Sequence, residues 1–102
     1  MNPAALSAVA SERRRHMLRL LWQTERSAGD LAADFDISWP AVSQHLRVLK
    51  DAGLIRERRD GRHRMYTADS ETLGPLEAVL TTMWRADLDR LAELAEREEG
   101  HE

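Results

Sequence analysis

Apolar residues recur every three or four positions along most of the chain, the period of an α-helix with one buried face. This pattern predicts a first helix within residues 1–10, a second helix after the N-cap candidate Ser11 and a third short helical segment from Ser27. Pro3 suits the first turn of the first helix. The positions expected to face inward in these segments are Val9, Met17, Leu18, Leu21, Trp22, Leu31, Ala32 and Phe35.

A fourth helix is predicted between Ser38 and Gly53. Ser38 is a strong N-cap residue, Pro40 then falls in the first turn, and Gly53 is typical of a helix C-terminus. Residues 27–53 therefore form two helices joined by a tight turn. The buried stripe of the fourth helix is expected to be Val42, Leu46 and Leu49.

The pattern then becomes extended in residues 54–59 and 62–67, on either side of Asp60-Gly61. Asp-Gly between two strand-like runs predicts a tight hairpin, so residues 54–67 should form a two-stranded unit. The helical period returns over residues 69–98, and residues 99–102 are expected to be a flexible tail. The apolar positions of this long helix are Leu73, Leu76, Leu80, Met83, Trp84, Leu88, Leu91 and Ala95.

The predicted fold is thus mainly α with one two-stranded β-hairpin: four helices, the hairpin and a fifth, long helix. A chain of 102 residues is one domain's worth of sequence, so residues 1–102 are treated as a single unit. Cysteine is absent, which excludes disulfides and thiolate metal sites. No apolar run reaches the length of a membrane helix and no signal peptide is evident, so we expect an intracellular, cytoplasmic protein.

Charge is distributed unevenly along the chain. Residues 38–67 contain seven basic and three acidic residues, a net charge of +4, so the remainder carries −7 within a total of −3. This asymmetry indicates one surface that meets a polyanion. An enzyme is not expected, because the chain has no nucleophile elbow, glycine-rich phosphate loop or HExxH motif.

The exposed face of the fourth helix has the chemistry that reads DNA bases. Ser43, Gln44 and Arg47 lie opposite the apolar stripe, with Lys50 at the edge. Gln pairs with adenine and Arg with guanine in the major groove. The alternative is an ordinary solvated face, and His45, on the flank, is expected to pack or to contact phosphate.

The hairpin is rich in arginine. Five arginines on so short a unit repel one another unless an anion, such as phosphate, lies between them. Strand alternation places Arg56 with Arg58, and Arg62 with Arg64, on one face of their respective strands. The alternative is a hairpin whose charges only protect a sheet edge. The phosphate hypothesis, and with it the interpretation of helix and hairpin as one surface for a polyanion, requires that these arginines are gathered on that surface and are not engaged by carboxylates of the chain itself.

With these residues the sequence resembles the arsenical-resistance repressor (ArsR/SmtB) family of bacterial regulators over about residues 10–68. The family pattern Ser-x-Pro-Ala-Val-Ser-x-His-Leu is met at every fixed position in residues 38–46. The resemblance implies a winged helix-turn-helix fold and a homodimer that represses transcription from an inverted-repeat operator. It also implies that the first and last helices hold the dimer; the long apolar last helix points to the same arrangement.

From the residues and the resemblance together we expect three sets of site residues. The recognition-helix set is Ser38, Trp39, Pro40, Ser43, Gln44, His45, Arg47 and Lys50, and the wing set is Arg58, Arg59, Arg62 and Arg64. The dimer set is Leu6, Leu76, Leu80, Met83, Trp84, Leu88 and Leu91.

The family's metal-sensing sites are matched poorly. Its cysteine pair is missing, and a second family site on the last helix is matched only in part by Asp87, Asp89, Glu98 and His101. Such oxygen and nitrogen ligands would suit nickel or zinc, although an acidic tail explains these residues more simply. The inducing ligand therefore stays open. The competing hypotheses are a winged-helix module that binds protein and a partner-dependent regulator without its own sensor site.

Overall fold

The computed structural model describes residues 3–22 and 24–99. This part of the chain is mainly helical with one small antiparallel sheet, and the predicted hairpin belongs to that sheet. The helices are α1 (Pro3–Val9), α2 (Glu12–Leu21), α3 (Ala28–Ala32), α4 (Trp39–Asp51), α5 (Ser70–Leu73) and α6 (Glu77–Glu99), and the strands are β1 (Arg26–Ser27), β2 (Ile55–Asp60) and β3 (His63–Ala68).

The predicted helix starts are confirmed. The hydroxyl oxygens of Ser11 and Ser38 each accept a hydrogen bond from the backbone N–H three residues on, both at 3.3 Å. Ser27 forms a reciprocal capping box with Asp30. Gly53 follows α4 with a φ of 76°, the left-handed conformation that ends many helices.

One apolar core joins the helices to the sheet. The predicted α4 stripe is fully buried and packs with side chains from α1, α2, α3 and the start of β2. Because α3 and α4 share this core, the turn between them is held and the polar face of α4 is directed outward. The core residues with the least exposure are Ala8, Met17, Leu18, Leu21, Leu31, Val42, Leu49, Leu54, Leu73 and Leu80.

The hairpin is present, but its turn lies one residue later than predicted. Asp60 pairs with His63, so the two central turn residues are Gly61 and Arg62. Gly61 has a φ of 61°, and no other residue of the described ranges except Gly53 has a positive φ. Glycine at the first central position alone is typical of a type II′ turn. The turn therefore presents Arg62 at the tip of the hairpin.

The sheet has a third strand that the sequence pattern did not predict. The strand order is β1-β3-β2, and Arg26 and Ser27 of β1 pair with Tyr66 and Met65 of β3. Two residues are too short to show an alternating pattern, which explains why periodicity missed β1.

The long last helix is interrupted near its start. The structure has α5, a 3₁₀ turn over Gly74–Leu76 and then α6, where one helix was predicted. Pro75 has no backbone N–H to donate, so the α-helical hydrogen-bond pattern is interrupted there although Gly74 keeps right-handed helical dihedral angles. None of the described helices is long and apolar enough to cross a membrane.

A polar clamp fixes α6 against α2. The Arg15 guanidinium donates two hydrogen bonds, both 2.9 Å long, to the two carboxylate oxygens of Asp87 and a third to the Val9 carbonyl at 2.8 Å. The indole N–H of Trp84 donates to the carbonyl of Arg15 at 2.9 Å, and its ring meets Trp22 edge-on. The direction in which α6 leaves the body is thereby set.

Candidate nucleic-acid interface

The outer face of α4 is polar and uncovered. Ser43, Gln44, Arg47 and Lys50 are exposed, as predicted, on the side opposite the buried stripe. Trp39 is 54% exposed at the N-terminal end, and Ser38 and Pro40 beside it are also exposed. The Trp39 ring lies close to Gly29 of α3, since a Cβ on Gly29 would be 3.7 Å from it. The first turn of α4 thus presents a large apolar surface beside its polar face.

His45 lies away from this face. Its Nδ1 is 3.4 Å from a terminal nitrogen of Arg14 on α2, and the side chain is half-buried. Partial burial, followed by the positive charges of Arg14 and Arg13, lowers the pKa of His45. The structure therefore places His45 against α2, where its neutral form is favoured, and does not bring it together with Gln44 and Arg47.

A groove of about 890 Å³ separates α4 from the hairpin, with the start of α3 at one end. Its lining mixes polar and apolar surface and carries more positive than negative side chains. The basic residues that line it are Arg47, Lys50, Arg62, His63 and Arg64.

The hairpin has two different faces. Arg59 is directly opposite Arg64, and Glu57 is opposite Tyr66, so these four side chains share one face. Glu57, Arg64 and Tyr66 line the groove, which identifies this face as the one directed toward α4. Arg56 and Arg58 are therefore on the face that points away from α4.

Carboxylates of the chain engage three of the five hairpin arginines, which does not meet the requirement of the phosphate hypothesis. Arg56 donates to Asp69 at 3.0 Å, and Arg58 donates two hydrogen bonds to Glu25, the Nε bond at 2.7 Å. The prediction that Arg58 contacts phosphate is not supported by this geometry, since both its face and its partner direct it elsewhere. The pKa of Asp69 is lowered, first by the hydrogen bond from Arg56, and that of Glu25 by Arg58.

The third engaged arginine, Arg64, faces the groove. It lies 3.5 Å from a carboxylate oxygen of Glu57, whose other oxygen accepts from Lys50 at 2.8 Å. Glu25 was not predicted as a partner of Arg58, because it directly precedes β1, which the sequence pattern did not predict.

Three arginines satisfy the requirement. Arg47 on α4, Arg59 on β2 and Arg62 at the turn are all exposed. They form no ion pair with any residue in ranges 3–22 and 24–98, whose side chains are described. Other exposed arginines without an ion pair to a described residue lie on α2 and α6, but Arg47 and Arg62 are the ones that line the groove.

The predicted dimer residues divide into two groups. Leu76 and Leu80 are 2% and 0% exposed within the single chain, so they belong to its own core and cannot form an intersubunit surface. Met83 and Trp84 are half-buried, and Trp84 packs on that core. Leu6 on α1 and Leu88 and Leu91 on α6 are exposed, together with two residues the sequence analysis did not include, Val79 and Leu94.

The described candidate metal residues do not come together within the single chain. Both carboxylate oxygens of Asp87 bind Arg15, and Asp89 and Glu98 are exposed. His101 lies outside the described residues. Within the described ranges, no group of three or more His, Asp or Glu side chains could hold a metal ion.

Comparison with known proteins places this geometry in a family. Residues 11–57 match the model described as bacterial regulatory protein, arsR family. A helix-turn-helix-type transcriptional regulator of Mycobacterium tuberculosis is 38% identical over 94 residues, which are 92% of this chain and 88% of that protein. The transcriptional repressor SdpR of Bacillus subtilis is 38% identical over 66 residues, 65% of this chain and 73% of its own.

A solved structure shows the same fold. The homodimeric winged helix-turn-helix DNA-binding domain of a Mycobacterium bovis protein, a possible ArsR-family regulator, superposes with a TM-score of 0.71 at 29% identity. The match covers 80% of this chain and 76% of that one.

Proposed function

The chain belongs to the arsR family of bacterial regulatory proteins, and on that premise we propose that it acts as a homodimeric repressor at an inverted-repeat operator. It is a DNA-binding transcriptional regulator of the winged helix-turn-helix type and not an enzyme. The observation that carries the proposal is the groove lined by the unpaired Arg47 and Arg62, next to an uncovered polar helix face.

We assign the reading of DNA bases to α4. The major groove of B-DNA admits an α-helix, and the exposed Ser43, Gln44 and Arg47 lie on the side of α4 that such docking would present to it. Arg47 suits guanine and Gln44 suits adenine, each through two hydrogen bonds. Trp39, exposed at the N-terminal end, supplies an apolar surface of the kind that packs on thymine methyl groups.

We assign contacts with the DNA backbone to the hairpin. Arg62 at the turn and Arg59 beside it are exposed, so they can neutralise phosphates without first leaving a carboxylate. Such contacts hold the protein in register on the duplex, whereas the base contacts from α4 select the sequence.

Two copies of the chain supply the symmetry of the operator. Four leucines are exposed on the two terminal helices: Leu88, Leu91 and Leu94 on α6 and Leu6 on α1. Burial of these apolar side chains against a second copy of the chain would be favourable in free energy, which supports an interface there. A two-fold dimer places its two recognition helices on inverted half-sites. Repression is supported by the function named for the Bacillus relative.

Repression of this kind takes place on the bacterial chromosome, so we place the protein in the cytoplasm. The proposal assigns no metal, since Asp87 is committed to Arg15. An effector or a partner protein stays a separate hypothesis, because none of the residues above depends on it.

The experiment is selection of duplexes from a randomised pool, followed by affinity measurements on the selected and a random duplex for the wild type and for Gln44→Ala and Arg47→Ala. We expect each variant to lose about 1–3 kcal/mol on the selected duplex and to relax preference at one or two positions of each half-site. Arg85→Ala is the matched control, since it removes an exposed arginine from α6.

Equal losses on selected and random duplexes would disprove base reading by α4. Failure to enrich any sequence would favour the winged-helix module that binds protein.

A further inference from the structure

Glu57 is one of three acidic residues that line the groove, with Asp30 and Asp51, and it is the one that lies on the hairpin. Its carboxylate faces α4 from β2, and its side chain retains only 18% exposure. A negative charge at this place repels the DNA backbone, so it weakens binding unless it serves another purpose.

The contacts of Glu57 join two structural elements. One carboxylate oxygen accepts from Lys50 Nζ in the last turn of α4 at 2.8 Å, and the other lies 3.5 Å from Arg64 Nε on β3. One anion therefore links the recognition helix to the hairpin across the groove. The hydrogen bond from Lys50 is the main reason that the pKa of Glu57 is lowered, so the carboxylate is ionised at neutral pH.

The same contacts change which cations are available to DNA. Lys50 and Arg64 line the groove but share a partner, whereas Arg47 and Arg62 line it without an ion pair to any described residue. The phosphate backbone of a duplex of random sequence must therefore displace Glu57 to bind Lys50 or Arg64, but it can bind Arg47 and Arg62 directly.

We propose that Glu57 is a specificity-determining residue. It holds the hairpin at a set distance from α4. It also keeps Lys50 and Arg64 from binding the phosphates of a duplex whose backbone does not fit that distance. This rests on the proposed function, because it assumes that the groove meets DNA. Glu57 acts as a positioning residue through Lys50 and Arg64, and it need not touch DNA itself.

The test uses Glu57→Gln in the full chain, with the selected and random duplexes and a salt titration. Asp51→Asn is the matched control, because Asp51 lines the same groove, is exposed and forms no ion pair with a described residue. For Glu57→Gln we expect the affinity for random duplex to rise about 10-fold, with a slope of log K against log salt that is steeper by about 1–2 per subunit, as released Lys50 and Arg64 find phosphates.

The affinity of Glu57→Gln for the selected duplex should rise much less, so that discrimination falls by about fivefold or more. Asp51→Asn should raise both affinities by the same factor and leave discrimination unchanged. A purely structural ion pair would instead lower both affinities together, through loss of folded protein.

Equal effects of Glu57→Gln and Asp51→Asn on discrimination would overturn the proposal, since charge alone would then explain both. If Glu57→Gln does not fold, Glu57→Asp is used instead, because it keeps the charge but shortens the side chain by one methylene. This variant should lower discrimination without raising the affinity for random duplex. Unchanged discrimination in Glu57→Asp would also overturn the proposal. A wild type that does not discriminate at all would refute the proposed function itself, which is a distinguishable outcome.

Discussion

The two ends of this molecule, the junction of α2 with α6 and the groove, differ in which side chains lack a partner. At the junction Arg15 pairs with Asp87 and Arg90 with Glu12, whereas leucines farther along α6 are uncovered. At the groove the leucines of α4 are covered, whereas Arg47 and Arg62 in its lining, and Arg59 on β2, form no ion pair with a described residue.

The difference indicates which partner each end is built for. Uncovered leucines gain free energy when another apolar surface excludes water from them, and a second copy of the chain provides one. Unpaired arginines gain most from a polyanion, whose condensed counterions are released on binding. An arginine already held in a two-bond ion pair, such as Arg15, serves the architecture of the chain.

The largest effect is expected where the uncovered leucines are changed. Leu91→Asp places a carboxylate in the proposed apolar interface of each subunit, at a cost of at least about 3 kcal/mol per subunit. We expect dimer affinity to fall by more than about a thousandfold. Sedimentation over a concentration series measures this, and Arg85→Asp, which adds a carboxylate on exposed α6 surface outside the leucine row, should leave the dimer intact.

A Leu91→Asp protein that sediments like the wild type would show that the interface lies elsewhere. The uncovered leucines of α6 would then no longer indicate that this end of the molecule binds a second copy.

A smaller effect is expected at the junction. Asp87→Ala leaves the buried Arg15 guanidinium without its anion, and we expect a loss of about 3 kcal/mol in the free energy of unfolding, the low end for buried pairs because the Asp87 side chain is still 20% exposed. Denaturant unfolding at one fixed protein concentration measures it. The double variant Arg15→Met with Asp87→Leu should recover most of the loss, since it removes both charges.

The sign of the pH dependence follows from the same pair. Chiefly because Arg15 donates to it, the pKa of Asp87 is lowered in the folded protein. The stabilisation is therefore present above the unfolded-state pKa of about 4 and is lost as the pH falls through the lower folded-state value. The stability difference between the wild type and Asp87→Asn should narrow in acid, and a difference that stays constant down to pH 2 would contradict the role of this pair.

Sequence pattern predicted the architecture well wherever one strong local signal was present. Ser11, Ser27 and Ser38 capped their helices as expected, and Gly53 ended α4, because capping depends on residues only two or three positions apart. The exposed face of α4 was predicted for the same reason, since its apolar stripe is unbroken.

The α6 leucines show where pattern alone fails. Leu80, Leu88 and Leu91 belong to one apolar row of the same helix, so periodicity assigned them a single role. In the structure the row is buried in the chain's own core at Leu80 and uncovered from Leu88 onward, because the body of the protein ends between them. Helix period gives the direction of a side chain but not the extent of the core beneath it.

The wing shows a second limit. Five arginines in nine residues predicted a phosphate-binding hairpin, but strand register separates Arg56 and Arg58 from Arg59 and Arg64. Whether an arginine is free also depends on carboxylates distant in sequence, such as Glu25, 33 residues before Arg58. Neither fact is visible in local composition.

The most direct test of the central claim, that the hairpin arginines without a carboxylate partner are the ones that contact DNA, compares two double variants of the hairpin. Affinity for the selected duplex is measured from about 50 to 200 mM salt for Arg59→Ala with Arg62→Ala and for Arg56→Ala with Arg58→Ala. We predict that the first pair flattens the slope of log K against log salt by about 3–4 per dimer, roughly 0.9 for each lost phosphate contact, and that the second changes it by less than about 1. Equal flattening by both pairs, or a larger effect from Arg56 and Arg58, would contradict the account.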